Sequence, residues 1–110
     1  MAWEWIVLIG AGTALCAGCL VPNRWLPARM PNDKLMHFAA FALLSALALR
    51  LCQGRGQAAQ ALLALLVAGW LIECLQALVP ERRFCWRDMA ANAGGIGAVA
   101  LCAYLATLLA

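Results

Sequence analysis

Charged side chains are scarce in this chain. Asp, Glu, Lys and Arg supply only 12% of its 110 residues, while hydrophobic residues supply 66%. An average soluble protein is about a quarter charged and roughly half apolar. A soluble domain of this length cannot hide so much apolar surface. The natural solvent is therefore a bilayer, and membrane lipid is the first expected partner. The formal net charge of +3 is modest. The arginines sit in short connectors rather than in a stripe or tail, so no nucleic-acid partner is expected.

Other absences remove enzyme classes. Ser45 is the only serine and His37 the only histidine. They are separated by about 12 Å along a helix at roughly 1.5 Å per residue, so a Ser–His dyad within one helix is excluded. There is no glycine loop to cradle phosphates, because Gly94-Gly95-Ile96-Gly97 falls inside an apolar run. One histidine and scattered acids lack the spacing of a metal motif, so no metal and no cofactor are expected. The six cysteines look like a disulfide framework until they are placed. Cys16, Cys19, Cys52, Cys74 and Cys102 lie in or beside apolar runs, where Cys acts as a small hydrophobe. Only Cys85 is in a polar connector. Cys16-Ala17-Gly18-Cys19 has redox-motif spacing but no βαβ pattern around it. Its last residues also look like a lipoprotein cleavage site, yet residues 1–5 lack a positive region, so no cleaved signal is expected.

What is present is four apolar runs. Residues 5–21, 56–72 and 89–110 carry no charge, and 35–49 carry only His37 among titrating groups. A spanning helix needs about 20 apolar residues, within roughly 17–25. The second run is short, but Lys34 and Arg50 can lengthen it by sending their charges outward to the headgroups. The runs are Leu- and Ala-rich and lack alternation, which excludes strands. The expected fold is all-α: an antiparallel bundle of four transmembrane helices, near 3–21, 33–52, 57–79 and 88–110, in a single domain. The connectors agree. Pro22, Pro27, Pro31 and Pro80 stop helices, Asn32-Asp33 and Asp88 can cap the next ones, and 53–57 is a tight turn. Trp3, Trp5, Trp25 and Trp86 fall near interfaces, and Trp70 does not. The fourth helix carries the small-xxx-small pairs Ala90/Gly94, Ala91/Gly95 and Ala93/Gly97, which allow close packing inside the bundle.

In this topology the polar residues gather at one end. Asp33, Lys34 and His37 begin the second helix, Glu73 and Gln76 end the third, and Asp88 and Asn92 begin the fourth. Asp33/His37 and Asp88/Asn92 are i,i+4 pairs and Glu73/Gln76 is i,i+3, so each pair shares a face. Glu73 lies about 10 Å along its helix from Pro80. A carboxylate at that depth must face inward and be paired, with Arg82, His37 and Lys34 as partners. Asp33 and Asp88 as mere caps, His37 as a core histidine, and Arg24, Arg29, Arg83 and Arg87 as interface anchors are the plainer alternatives.

The pattern Asp33-Lys34-x-x-His37-Phe38-x-x-Phe41, followed by Glu73-x-x-Gln76-x-x-x-Pro80-x-Arg82-x-Phe84-x-x-x-Asp88-x-x-x-Asn92-x-x-Gly95, resembles the VanZ-like family of small bacterial membrane proteins. The resemblance spans about residues 30–99. Val99 departs from it, where a second glycine is usual. It implies that the matched residues form a polar centre and that the protein lies in a bacterial cytoplasmic membrane. It also implies a link to the cell envelope and to resistance against the glycopeptide teicoplanin. It implies no settled catalytic mechanism.

Three functions stay open. In the first, the site binds or processes an anionic, lipid-linked headgroup. Arg82 and Lys34 hold phosphate or carboxylate, with Asp33, Gln76 and Asn92 also among the ligand-binding residues, His37 and Glu73 exchange a proton, and Asp88 and Asn92 orient them or hold a divalent cation. In the second, the protein is a small proton-coupled transporter with Glu73 as its intramembrane acid. In the third, it is a structural or accessory subunit. Whether the site is catalytic is left open, as is a nucleophilic role for Cys85. The charge count places six basic residues (Arg24, Arg29, Lys34, Arg82, Arg83, Arg87) on the site's side and two (Arg50, Arg55) on the other. That favours a cytoplasmic site by the positive-inside rule, whereas a cell-wall role favours the outer face.

Overall fold

The computed structural model describes residues 2–20, 33–79 and 84–109. It contains four helices: α1 (Ala2–Leu20), α2 (Asp33–Leu51), α3 (Arg55–Gln76) and α4 (Trp86–Leu109). The all-α bundle expected from the apolar runs is the observed architecture. Three helices are long and apolar enough to cross a membrane: Lys34–Leu51, Arg55–Gln76 and Trp86–Leu109. The shorter α1 is apolar over Ala2–Gly18. Large hydrophobic side chains line the outside, among them Ile6, Leu63, Leu71, Leu101 and Leu109. In water such a surface would aggregate; in lipid it is solvated. The molecule is therefore a membrane protein whose interior is the more polar side.

Two helix boundaries differ from expectation. α3 was expected to run to 79 but stops at Gln76. Beyond it, the amides of Leu78 and Val79 donate three residues back, to Leu75 O and Gln76 O. This tighter turn satisfies the last carbonyls once the chain leaves the α-helix. α4 was expected to begin with Asp88 as its cap, yet it begins at Trp86. The Cys85 carbonyl accepts from the amides of Asp88 and Met89. Asp88 therefore lies inside the first turn, with its carboxylate turned into the bundle rather than back onto the helix end. At the α2–α3 turn, Gly54 takes φ 98°, a left-handed conformation that glycine adopts without a Cβ penalty. Gln57 Oε1 accepts from the Gln53 amide at 2.7 Å and closes the turn.

α2 and α3 touch each other and both flanking helices, whereas α1 and α4 do not meet among the described residues. The tightest seam joins α2 to α4. A Cβ added to Gly95 would overlap the Phe38 carbonyl oxygen and sit 2.9 Å from Ala42 N. Only glycine allows this backbone approach. The expected small face of α4 is thus narrower than the sequence suggests. Ala91 and Gly95 face inward, but Ala90, Ala93, Gly94 and Gly97 are exposed, and a Cβ on Gly97 would meet nothing within 4 Å.

The α1 side is built differently. A cavity of about 880 Å³ lies between α1, α2 and α3. Leu8 and Cys16 line it from α1, Phe41 and Leu44 from α2, and Leu65 and Ile72 from α3. At the end of the bundle opposite the expected site, Arg50 Nε–H donates to Glu4 Oε1 at 2.8 Å, and the guanidinium lies 5.4 Å from the centre of the Trp3 ring. Arg50 was expected to send its charge outward. Instead its half-exposed head turns back to Glu4, which is buried at 2% exposure. A buried carboxylate outweighs the pull of the headgroups on a nearby guanidinium.

Candidate functional site

Three helix ends supply the polar centre, and each does so for a local reason. α2 presents Lys34 and His37 in its first turns. α3 presents the buried stripe Gly69, Ile72, Glu73 and Gln76. α4 presents the buried stripe Asp88, Asn92, Gly95 and Ile96. These spacings of three and four residues set each polar group on the same face as the residue that packs its helix.

The convergence is close. His37, Glu73, Gln76, Asp88 and Asn92 are all buried, with Glu73 and Asn92 wholly inaccessible. His37 Nδ1–H donates to Asn92 Oδ1 at 2.9 Å. Asn92 Oδ1 can only accept, so Nδ1 carries a proton in this contact. Nε2 then faces Asp88 Oδ2 at 3.7 Å, too far for a hydrogen bond. The other oxygen of Asp88 makes an ion pair with the Lys34 ammonium. Lys34 was expected to reach outward or toward Glu73; it bridges to Asp88, with its side chain 41% exposed. Glu73 Oε2 accepts from the Cys85 amide at 3.4 Å. That amide belongs to the residue whose carbonyl starts α4. The carboxylate thereby ties the end of α3 to the positive end of the α4 dipole. One donor atom each from His37, Glu73 and Asp88 lies within 4.8 Å of the others.

Room for this packing is made by Gly69, one turn from Glu73. A Cβ there would lie 3.1 Å from the Phe41 ring and 3.2 Å from Asn92 Nδ2. Asn92 Nδ2 itself is buried without a hydrogen-bond partner. Such a donor is unusual in a folded protein.

Of the residues expected at the site, Lys34, His37, Glu73, Gln76, Asp88 and Asn92 meet at one end of the bundle. Arg82 lies outside the described residues, as do Arg24, Trp25, Arg29, Asn32 and Arg83 and the side chain of Asp33. Ser45 is buried and its hydroxyl has no hydrogen-bond partner, in keeping with its exclusion from a His37 dyad. The described cysteines Cys16, Cys52, Cys74, Cys85 and Cys102 are free. Ile72 and Gly69 were missed, whereas Phe41 was already in the matched motif. Phe41 and Ile72 link the polar centre to the cavity, and Gly69 holds the space open. Gly69 does stand at i−4 from Glu73, a usable signal once Glu73 is placed in the interior. No family model, curated protein or solved structure matches the chain, so its function has to be read from this geometry.

Proposed function

We propose that the polar centre binds the anionic headgroup of a membrane lipid or lipid-linked envelope precursor, with the lipid's chain in the apolar cavity between α1, α2 and α3. The observation that carries this reading is that the two are adjacent along α2 and α3. Phe41 and Ile72 line the cavity, and they stand one turn from His37 and directly beside Glu73. A chain lying in the cavity would bring its headgroup to the buried acids, the histidine and Lys34.

Lys34, with Arg82 from the α3–α4 connector, supplies positive charge for phosphate or carboxylate. Asn92 Nδ2, buried without a partner, supplies a hydrogen bond to a ligand oxygen. Glu73 and His37 are the pair through which a proton would move if the bound headgroup is also processed. Asp33, Gln76 and Asp88 orient them. The VanZ-like motif is consistent with this reading. It extends it to a bacterial cytoplasmic membrane, to the cell envelope and to teicoplanin resistance. The test is titration of purified protein with phosphatidic acid and with a polyprenyl phosphate, wild type against Glu73→Gln. Loss of binding on substitution supports the reading. Equal binding, with an unchanged teicoplanin phenotype in cells, defeats it.

One observation favours a second reading, an accessory subunit. The His37–Asn92 hydrogen bond and the Gly95 contact lock α2 to α4 tightly enough to serve packing alone. Loss of fold rather than of binding in Glu73→Ala would select it. Substrate–proton exchange in liposomes would instead select a transporter.

A further inference from the structure

We infer that His37, Glu73 and Asp88 hold a divalent transition-metal ion, Zn²⁺ or Mn²⁺, which joins the protein to the anionic oxygen of the bound headgroup. This rests on the headgroup reading for its ligand, but not for the site itself.

The donor set comes first. Three buried side chains, one from each of α2, α3 and α4, bring ligand atoms within 4.8 Å of one another. At a tetrahedral angle two bonds of about 2.1 Å hold their donor atoms roughly 3.4 Å apart, so binding contracts the widest pair by up to about 1.4 Å. Imidazole suits zinc and carboxylates suit manganese, and the mixed set is open to both.

The histidine supplies the second observation. Its Nδ1 lies 2.9 Å from Asn92 Oδ1, and its Nε2 is turned toward Asp88 Oδ2 at 3.7 Å. The arrangement of a ligand histidine held through its other nitrogen by a carbonyl oxygen is the one that metal sites use to orient the ring. Asp88 divides its oxygens accordingly. Oδ1 goes to Lys34, and Oδ2 faces His37.

Charge supplies the third. Glu73 and Asp88 place two carboxylates in the interior, and an anionic headgroup would add more negative charge beside them. Lys34, partly exposed, is one countercharge. A divalent ion reverses the sign of the site at the point where the headgroup must approach. Asn92 Nδ2, fully buried and without a partner, then has a ligand oxygen to serve.

The experiment uses the full chain in detergent, stripped with EDTA, dialysed, and titrated with Zn²⁺ by calorimetry and with Co²⁺ by visible absorption. One ion per chain is expected. His37→Ala and Asp88→Asn should weaken binding more than tenfold. Asn92→Ala should weaken it tenfold to a hundredfold by freeing the ring. Arg50→Gln, at the far end of the bundle, should leave it unchanged. No ion bound by wild type, or wild-type affinity in a His37→Ala variant of normal helicity and elution, overturns the inference. Should the ligand variants fail to fold, the wild-type Co²⁺ spectrum decides. Oxygen and nitrogen ligation at one ion per chain supports the site, and a thiolate charge-transfer band puts the ion on cysteine and overturns it. Phosphatidic acid binding, measured in EDTA and in Zn²⁺, separates the two proposals. Equal binding in both sinks the metal's role and spares the headgroup reading. An ion bound by a protein that takes up no phosphatidic acid in either condition leaves the metal site and sinks the headgroup reading.

Discussion

The two flanking helices of this bundle are joined to its centre in opposite ways. α4 meets α2 backbone to backbone at Gly95, where a Cβ would overlap the Phe38 carbonyl. α1 stands off from α2 and α3 across a cavity of about 880 Å³ and is tied at one end by Glu4 and Arg50. The polar centre lies on the tight side, where His37 and Asn92 bridge the seam. The contrast separates two requirements. Donor atoms must be held in register, which needs close, rigid packing. On the proposed reading a lipid chain would enter and leave, which a loosely filled flank permits.

Five substitutions test that contrast. The largest effect is expected at the seam. Gly95→Leu should destabilise the bundle by on the order of 3 kcal/mol, while Gly97→Leu, which faces open space, should change little. Thermal unfolding in detergent compares the two, and equal losses would remove the distinction between seam and exterior. Next comes Glu73→Gln, which keeps shape and removes charge. It should weaken headgroup binding roughly 10- to 100-fold by weakening the charge-assisted hydrogen bond from the Cys85 amide that positions the start of α4, a bond of the class worth about 1.5–3 kcal/mol. Fluorescence titration with a labelled lipid reads this directly.

The α1 clasp should matter less. Arg50 is largely exposed, so Arg50→Gln should cost about 1 kcal/mol or less. It should leave headgroup affinity as it is. A drop in affinity equal to that of Glu73→Gln would mean that the two ends of the bundle act as one unit. The smallest change in stability is expected from filling the cavity. Ala68→Leu adds volume beside Ile72, in a space that is otherwise vacant, and should alter stability by about 0.5 kcal/mol or less. It should still reduce the amount of lipid that copurifies, measured by native mass spectrometry. Unchanged lipid content would separate the cavity from the site.

How much of this was legible beforehand varies with the kind of residue. The helices were, because runs without charge have few places to be except a bilayer. Glu73, Asp88 and Asn92 were, because buried polar groups in such runs are expensive and must face inward. Arg50 and Lys34 keep partly exposed heads, but the partners they take were not foreseen. Their acids, Glu4 and Asp88, are 46 and 54 residues away in the chain, and nothing local reports such a pairing. How near His37, Glu73 and Asp88 come to one another was hidden for the same reason: they have no motif spacing, since each comes from a different helix. The cavity left no trace at all. Ala61, Ala64 and Ala68 are ordinary in an apolar helix, and only their shared position opposite α1 turns them into a wall.

Composition and run length alone settled that the chain is helical, that it belongs with lipid, and that its few polar groups would collect at one end. Which carboxylate pairs with which cation, how near three donor atoms come, and which flank stays open were decided by packing. The physical reason is one of range. Hydrophobicity and helix period are properties of neighbours along the chain, whereas ligand geometry and empty volume exist only between helices that the chain brings together from afar.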